Sequence, residues 1–264
     1  MKNPPTTLTQ IRGHLATLRL TAIEKALDDE LAKAAQSALA PTQLVERLLA
    51  IEANARLERA MERRVKESKL PEHKLLSDFD FDFQTGIDKS QILELATLDF
   101  AARKQGLVLG GFPGTGKSHI AKALLLIGCT KQYRCRYTTA SDMLGELFSG
   151  LADGSLAKKV KQYTAPEILL IDELGFDNIE QHDARNASLF FKVIDGRYGK
   201  ASTLITTNID FEQLGAYLGD PIITIPIVDR MVHHSITITI EGPSFRMHES
   251  KKLNAKTKKT SKPK

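Results

Sequence analysis

Residues 111–118 read Gly-Phe-Pro-Gly-Thr-Gly-Lys-Ser, and no other stretch of the 264 residues limits the fold so tightly. The pattern G-x-x-x-x-G-K-[ST] is a Walker A loop. Gly106-Leu107-Val108-Leu109-Gly110, just before it, is the short apolar run of a buried parallel strand. His119 to Leu126, just after it, is rich in helix formers and free of Gly and Pro. Strand, glycine loop and helix together are the geometry a triphosphate needs. Gly111, Gly114 and Gly116 let the backbone curl around Phe112, Pro113 and Thr115 so that N–H groups point inward. The helix opening at Lys117-Ser118-His119 offers the positive end of its dipole to the anion. Lys117 is placed to reach the β- and γ-phosphates of ATP, and the Ser118 hydroxyl to ligate Mg²⁺.

Ile168-Leu169-Leu170-Ile171-Asp172-Glu173 is four aliphatics closed by two acids, the form of a Walker B strand. Asp172 at its carboxyl end is placed to hold the Mg²⁺, and Glu173 to polarise an attacking water. The two motifs lie about 56 residues apart with one strand-plus-helix unit between them, a strand at Tyr133 to Thr138 and a helix through Met143, Leu147 and Leu151, which predicts that another strand separates the motif strands in the sheet. That is the arrangement of additional-strand, catalytic-glutamate ATPases. Thr203-Leu204-Ile205-Thr206-Thr207-Asn208 is a further strand, and Asn208 at its end is a candidate sensor of the γ-phosphate or the lytic water. Ser235 to Ile240 alternates strictly and reads as the last strand.

The first 68 residues read as a small helical module, with apolar residues at helical intervals from Leu8 to Leu31 and a second helix from about Thr42. In that second helix Arg56, Arg59, Arg63 and Lys66 fall near one face. This suits either a phosphate-backbone contact or a solvated helix with i,i+4 pairs such as Glu52–Arg56. Phe79, Phe81 and Phe83 alternate with aspartates, predicting an extended segment ahead of the loop whose rings pack in the core or wall the base pocket. Residues 69–245 form the catalytic domain. Residues 246–264 hold eight Lys and Arg against one acid, so the net charge of +5 belongs to this tail and the remainder is slightly acidic. A Lys-, Thr- and Ser-rich tail is expected to lack fixed structure and to attract phosphate backbones, or merely to solubilise. Cys129 and Cys135 read as buried free thiols, and the His233-His234 neighbours as packing or polar surface. No span or leader pattern is read, so the expected place is the cytoplasm, with no membrane partner.

Together these residues resemble the AAA+ family, specifically the IstB-type helper ATPases of bacterial insertion sequences, relatives of DnaC-type helicase loaders. The Asp-Phe stretch, the Walker loop, Ile-Asp-Glu-Leu-Gly, Asp-Gly-Arg-Tyr-Gly, Ile-Thr-Thr-Asn, Val-Asp-Arg-Met-Val-His-His and Glu-Gly-Pro-Ser-Phe-Arg carry the likeness. It implies an α/β fold: a P-loop core of parallel strands with flanking helices, plus a small all-α N-terminal domain. It implies ATP hydrolysis with Mg²⁺, with Arg230 as an arginine finger acting on the neighbouring subunit's nucleotide. Arg197 sits in a family motif and is expected at a subunit interface or in the fold. The resemblance also implies self-assembly into a ring or helical oligomer, largely sequence-independent binding to duplex DNA, and a transposase partner. A DnaC-like loader, with a replicative helicase as partner, is the alternative. A non-hydrolysing scaffold and a small-molecule kinase are further readings, and no lid arginine is assigned because little chain follows the last strand.

Overall fold

The computed structural model describes residues 6–176 and 185–260. The chain divides into two compact units, Met1–Arg63 and Arg64–Lys264. The first is built from helices α1 (Thr7–Thr17), α2 (Thr21–Gln36) and most of α3 (Pro41–Glu67). The periodicity from Leu8 to Leu31 predicts continuous helix, but the chain turns between α1 and α2, where Arg19 takes φ 55°. Leu15, Ile23 and Leu27 are buried together, with Leu20 and Leu48 packed against them.

The N-terminus of α2 has no cap from its own Leu20. Glu52 of α3, only 3% exposed, supplies one by accepting the N–H groups of Ala22 (2.8 Å) and Ile23 (3.3 Å). Arg56 and Arg59 both reach its other oxygen at 3.1 Å. Two of the four basic residues that could line a phosphate-binding face are thus tied to one carboxylate.

The second unit is a parallel α/β sheet. Strands β1 (Gly106–Gly111), β2 (Cys135–Thr139), β3 (Ile168–Leu174), β4 (Ser202–Thr207) and β5 (Ser235–Ile240) run in the order β2-β3-β4-β1-β5. Strand β4 lies between β1 and β3, as the motif spacing predicts. Side chains alternate between two cores, as strand geometry requires. Leu107, Leu109, Ile168, Leu170 and Leu204 pack on one face with α4 (Lys89–Leu95), α5 (Asp99–Ala102) and α6 (Lys117–Thr130). Val108, Leu169, Ile171 and Ile205 pack on the other. That face is covered by α7 (Ala140–Ala152), α8 (Leu156–Thr164), α9 (Arg185–Arg197), α10 (Phe211–Tyr217) and α11 (Pro221–His233). Helices α8 and α10 are not anticipated in the sequence, and Pro226 lies inside α11. Cys129 and Cys135 are free and buried.

Arg197, 1% exposed, serves the fold. Its guanidinium donates to the carbonyls of Tyr163, Pro166 and Ser202 and to Thr203 Oγ1 (2.8 Å), joining the ends of α8 and α9 to the start of β4. Burial without a carboxylate opposite lowers its pKa to about 9.

Two expectations are corrected. Residues 79–83 do not run extended: a 3-10 turn at Leu76–Asp78 leads into further turns, and Asp80 accepts the N–H of Phe83 (2.9 Å). The aspartates that give the alternation its period of two are turn formers, and they decide the backbone. The described part of the basic tail is helix α12 (Phe245–Thr260). It holds no Gly or Pro and five Lys with one Glu and one Ala, all compatible with helix. Among the described residues no helix is long and apolar enough to cross a membrane.

Glu52 should make the first unit acid-sensitive. Burial raises its pKa, but the N–H of Ala22, Arg56, the N–H of Ile23 and Arg59 together bring it below the usual 4.5. The stability it lends is complete above pH 4.5 and is lost as pH falls through the lowered value. Glu52→Gln should therefore melt earlier at pH 7 by circular dichroism and lose this part of the acid dependence.

Candidate active site

The site lies where parallel α/β sheets bind ligands, outside the carboxyl ends of β1, β3 and β4. Strand β1 ends in the glycine loop, whose Gly111, Gly114 and Gly116 have φ of 132°, 83° and 98°. A Cβ at Gly116 would sit 2.4 Å from a Phe79 ring carbon, so glycine is required there for space as well as for φ. Gln84, 2% exposed, braces the loop by donating to the Thr115 carbonyl (3.0 Å). Thr115 Oγ1 donates to the Phe112 carbonyl (2.8 Å), Phe112 itself is largely exposed, and Pro113 lies between it and Gly114. The loop bounds a cavity of about 540 Å³.

Lys117 Nζ, which the sequence assigns to phosphate, donates to the carbonyls of Gly111 (2.7 Å) and Phe112 (2.8 Å). Burial lowers its pKa to about 8, against the opposing pull of Asp172. A phosphate there would offer the ammonium a better partner and hold it charged. Asn208 follows the end of β4, and its buried Oδ1 has no hydrogen-bond partner. A lysine resting on its own loop suits an anionic ligand, and an unpartnered amide oxygen suits a donor such as a water molecule.

Asp172 is fully buried at the end of β3. Its Oδ1 accepts from Ser118 Oγ (2.8 Å) and Thr206 Oγ1 (2.5 Å), and its Oδ2 from Tyr137 (3.3 Å). Ser118 and Asp172, the two residues assigned to Mg²⁺, therefore touch. A hydroxyl and a carboxylate beside a phosphate cradle are a donor set suited to Mg²⁺, which keeps waters and takes few protein ligands. Glu173 has φ 63°, at an irregularity in the β3–β4 register between Ile171 and Leu174. That left-handed conformation turns its side chain out of the sheet to line the cavity.

Arg230 is not brought to this cavity. It ion-pairs with Asp195 (2.8 Å), donates to the Pro226 carbonyl and lies against the rings of Phe191 and Tyr198. Its neighbours include Gly106, Thr203 and Ser235, at the opposite, amino-terminal ends of the strands. His119 lines the cavity, but its ring bonds the Leu75 carbonyl (2.7 Å) and packs on Phe79. His233 Nδ1 pairs with the Tyr198 hydroxyl (2.7 Å).

Several cavity residues are not anticipated: Gln84, Lys122, and Phe245, Arg246 and Glu249 of α12. Phe83 packs on Phe245 and His248, and the Phe245 N–H donates to the Gly114 carbonyl (3.0 Å), seating the first turn of α12 against the loop. The sequence signal for this contact is the Glu-Gly-Pro-Ser-Phe-Arg stretch itself.

A parallel sheet in this order, with a Walker loop on β1 and tandem acids on β3 beyond an intervening strand, defines an AAA+ P-loop NTPase fold. The family model for IstB-like ATP binding proteins matches residues 13–253, and the chain belongs to that family. It is 34% identical over 246 residues to an insertion sequence IS21 ATP-binding protein of Pseudomonas aeruginosa, covering 93% of this chain and 92% of that one. It is likewise 34% identical over 212 residues to an insertion sequence IS5376 ATP-binding protein of Geobacillus stearothermophilus, covering 80% and 83%. Among solved structures it is similar in fold to AMPPCP-bound DnaA from Aquifex aeolicus, with a TM-score of 0.51 and 19% identity over 68% of this chain and 55% of that one.

The left-handed Glu173 should cost stability. Glycine removes the steric penalty of that φ, about 1–2 kcal/mol, and loses about 0.5–1 kcal/mol in chain entropy. Glu173→Gly should therefore stabilise the nucleotide-free protein by about 0.5–1 kcal/mol in urea denaturation; no gain would mean the conformation is unstrained.

Proposed function

We propose that the protein is a Mg²⁺-dependent ATPase that assembles head to tail on duplex DNA and assists the transposase of an insertion sequence. One observation carries this reading: the candidate catalytic groups sit at opposite ends of the sheet. Lys117, Ser118, Asp172 and Glu173 gather at the carboxyl ends of the strands, whereas Arg230 lies among residues at their amino ends. Strands of five to seven residues keep these ends roughly 17–20 Å apart, too far for one side chain to complete its own site.

In this mechanism the loop amides and Lys117 bind the phosphates, and Ser118 and Asp172 would hold Mg²⁺, which would supply charge neutralisation to them. Glu173 accepts a proton from the attacking water, Asn208 positions that water or the γ-phosphate, and Arg230 of the next subunit stabilises the transition-state charge. A heterologous contact of this kind repeats into a ring or a helix. Duplex DNA is held through its phosphates, with steep salt dependence, and basic α12 is a candidate contact. The insertion-sequence origin of the curated relatives favours a transposase over a replicative helicase as partner.

A mixing experiment tests the shared site. Glu173→Gln and Arg230→Ala should each bind ATP but release little phosphate on DNA. Mixed in equal amounts, they should recover roughly a quarter of the wild-type rate, since random assembly gives one interface in four an intact pocket and an intact finger. No recovery would place Arg230 outside catalysis in trans. Co-precipitation with the transposase of the same element tests the partner.

A further inference from the structure

Asp172 has a partner that neither motif explains. Lys122 lies one helical turn beyond Ser118 on the same face of α6, with its side chain 12% exposed. Its ammonium is 3.6 Å from Asp172 Oδ2, 5.4 Å from the centre of the Tyr137 ring and 3.2 Å from Glu72 Oε1. The protein thus surrounds a fully buried carboxylate with Ser118, Thr206, Tyr137 and a cation of its own.

Glu72 belongs to a strap, residues 68–84, that crosses the site. The Ser68 carbonyl accepts the Tyr137 N–H (2.7 Å), Leu75 accepts from His119 if that nitrogen carries the proton, and Phe79 packs on Gly116 and His119. Glu72 is half exposed and also pairs with Lys74 (3.0 Å). Lys122 therefore stands between two carboxylates, one buried at the metal position and one on the strap.

An ammonium and Mg²⁺ cannot share Asp172 without repulsion, because like charges this close in a partly buried site interact strongly. A cation that neutralises Asp172 without metal must weaken metal binding, unless it can move to another anion. Glu72 is that anion, already within reach. We propose that Lys122 is a resident counter-ion of Asp172 which nucleotide-bound Mg²⁺ displaces onto Glu72, so that metal loading tightens the strap on α6. The coupling is reciprocal: whatever strengthens the Lys122–Glu72 pair strengthens Mg²⁺ binding. The inference rests on the reading of Asp172 as the metal-side carboxylate.

The test compares ADP affinity by calorimetry with Mg²⁺ and with a chelator, alongside amide hydrogen exchange across residues 72–76. In the unaltered protein, Mg²⁺ with ADP should slow exchange there more than ADP alone. Lys122→Met keeps the apolar stem and removes the charge. It should raise the Mg²⁺-dependent gain in affinity by about tenfold and abolish the exchange response. Glu72→Gln removes the landing site on a half-exposed side chain and should lower the same gain by several-fold. These opposite signs are the signature, and Glu72→Gln alone decides the matter should Lys122→Met fold poorly. If neither variant changes the gain while Asp172→Asn removes it, the switch is wrong and the metal site stands. If Asp172→Asn keeps the full gain, both readings fall.

Discussion

A buried carboxylate with no room for error holds the site together. Asp172 is excluded from solvent, and a charge in that position is tolerable only if donors converge on it. They come from separate elements: Ser118 and Lys122 from α6, Tyr137 from β2 and Thr206 from β4. One side chain thereby fixes the register of the loop helix against three neighbouring strands. Thr206 extends the arrangement by accepting the Glu173 N–H (2.9 Å), so the hydroxyl that orients the buried Asp172 carboxylate also pins the residue proposed as base. Disturbing any one donor leaves a charge unmet in the interior, and so the site is stiff before a nucleotide arrives.

The same stiffness accounts for the left-handed Glu173. Asp172 must face inward to its donors, and a regular strand would point the next side chain to the opposite face of the sheet, into the second core. The register irregularity and the positive φ instead free Glu173 toward the cavity. Two adjacent acids can then occupy one pocket in different environments, one dry and fully satisfied, the other exposed to solvent. This separation is what general-base chemistry beside a metal site requires.

Much of this is legible in the sequence because glycines, paired acids and aliphatic runs report backbone constraints directly. The loop, the five strands and the position of β4 between the motif strands follow from local pattern and spacing. What escapes is what depends on contacts far apart in the chain. Arg197 looks like any motif arginine until Tyr163, Pro166 and Ser202 turn their carbonyls to it. Lys122 is one more polar residue on a helix until folding sets it beside Asp172 and Glu72. The Phe79-Phe81-Phe83 alternation has the period of a strand, yet the intervening aspartates build turns, a competition that hydrophobic period alone cannot judge. Tail charge suggests disorder, while the contact that seats its first turn, Phe245 on Phe83, forms only when segments far apart in the chain meet.

The direction of the sheet imposes a polarity on whatever the protein assembles into. Loop, acids and Asn208 are consequences of strands ending; Arg230 sits where strands begin, fastened to Asp195 and to the faces of Phe191 and Tyr198. Because β5 follows α11 directly, the arginine in the last turn of α11 cannot migrate to the carboxyl ends without breaking that connection. Its guanidinium is also presented rigidly, since a salt bridge and two ring contacts leave it few rotamers to lose on docking. A twofold contact would bring like end to like end and leave both Arg230 side chains far from the phosphate loops. Only a head-to-tail repeat sets the amino end of one sheet against the carboxyl end of the next. In the proposed assembly, polymer polarity is therefore a property of the single chain, determined by which end of a parallel strand each charge occupies.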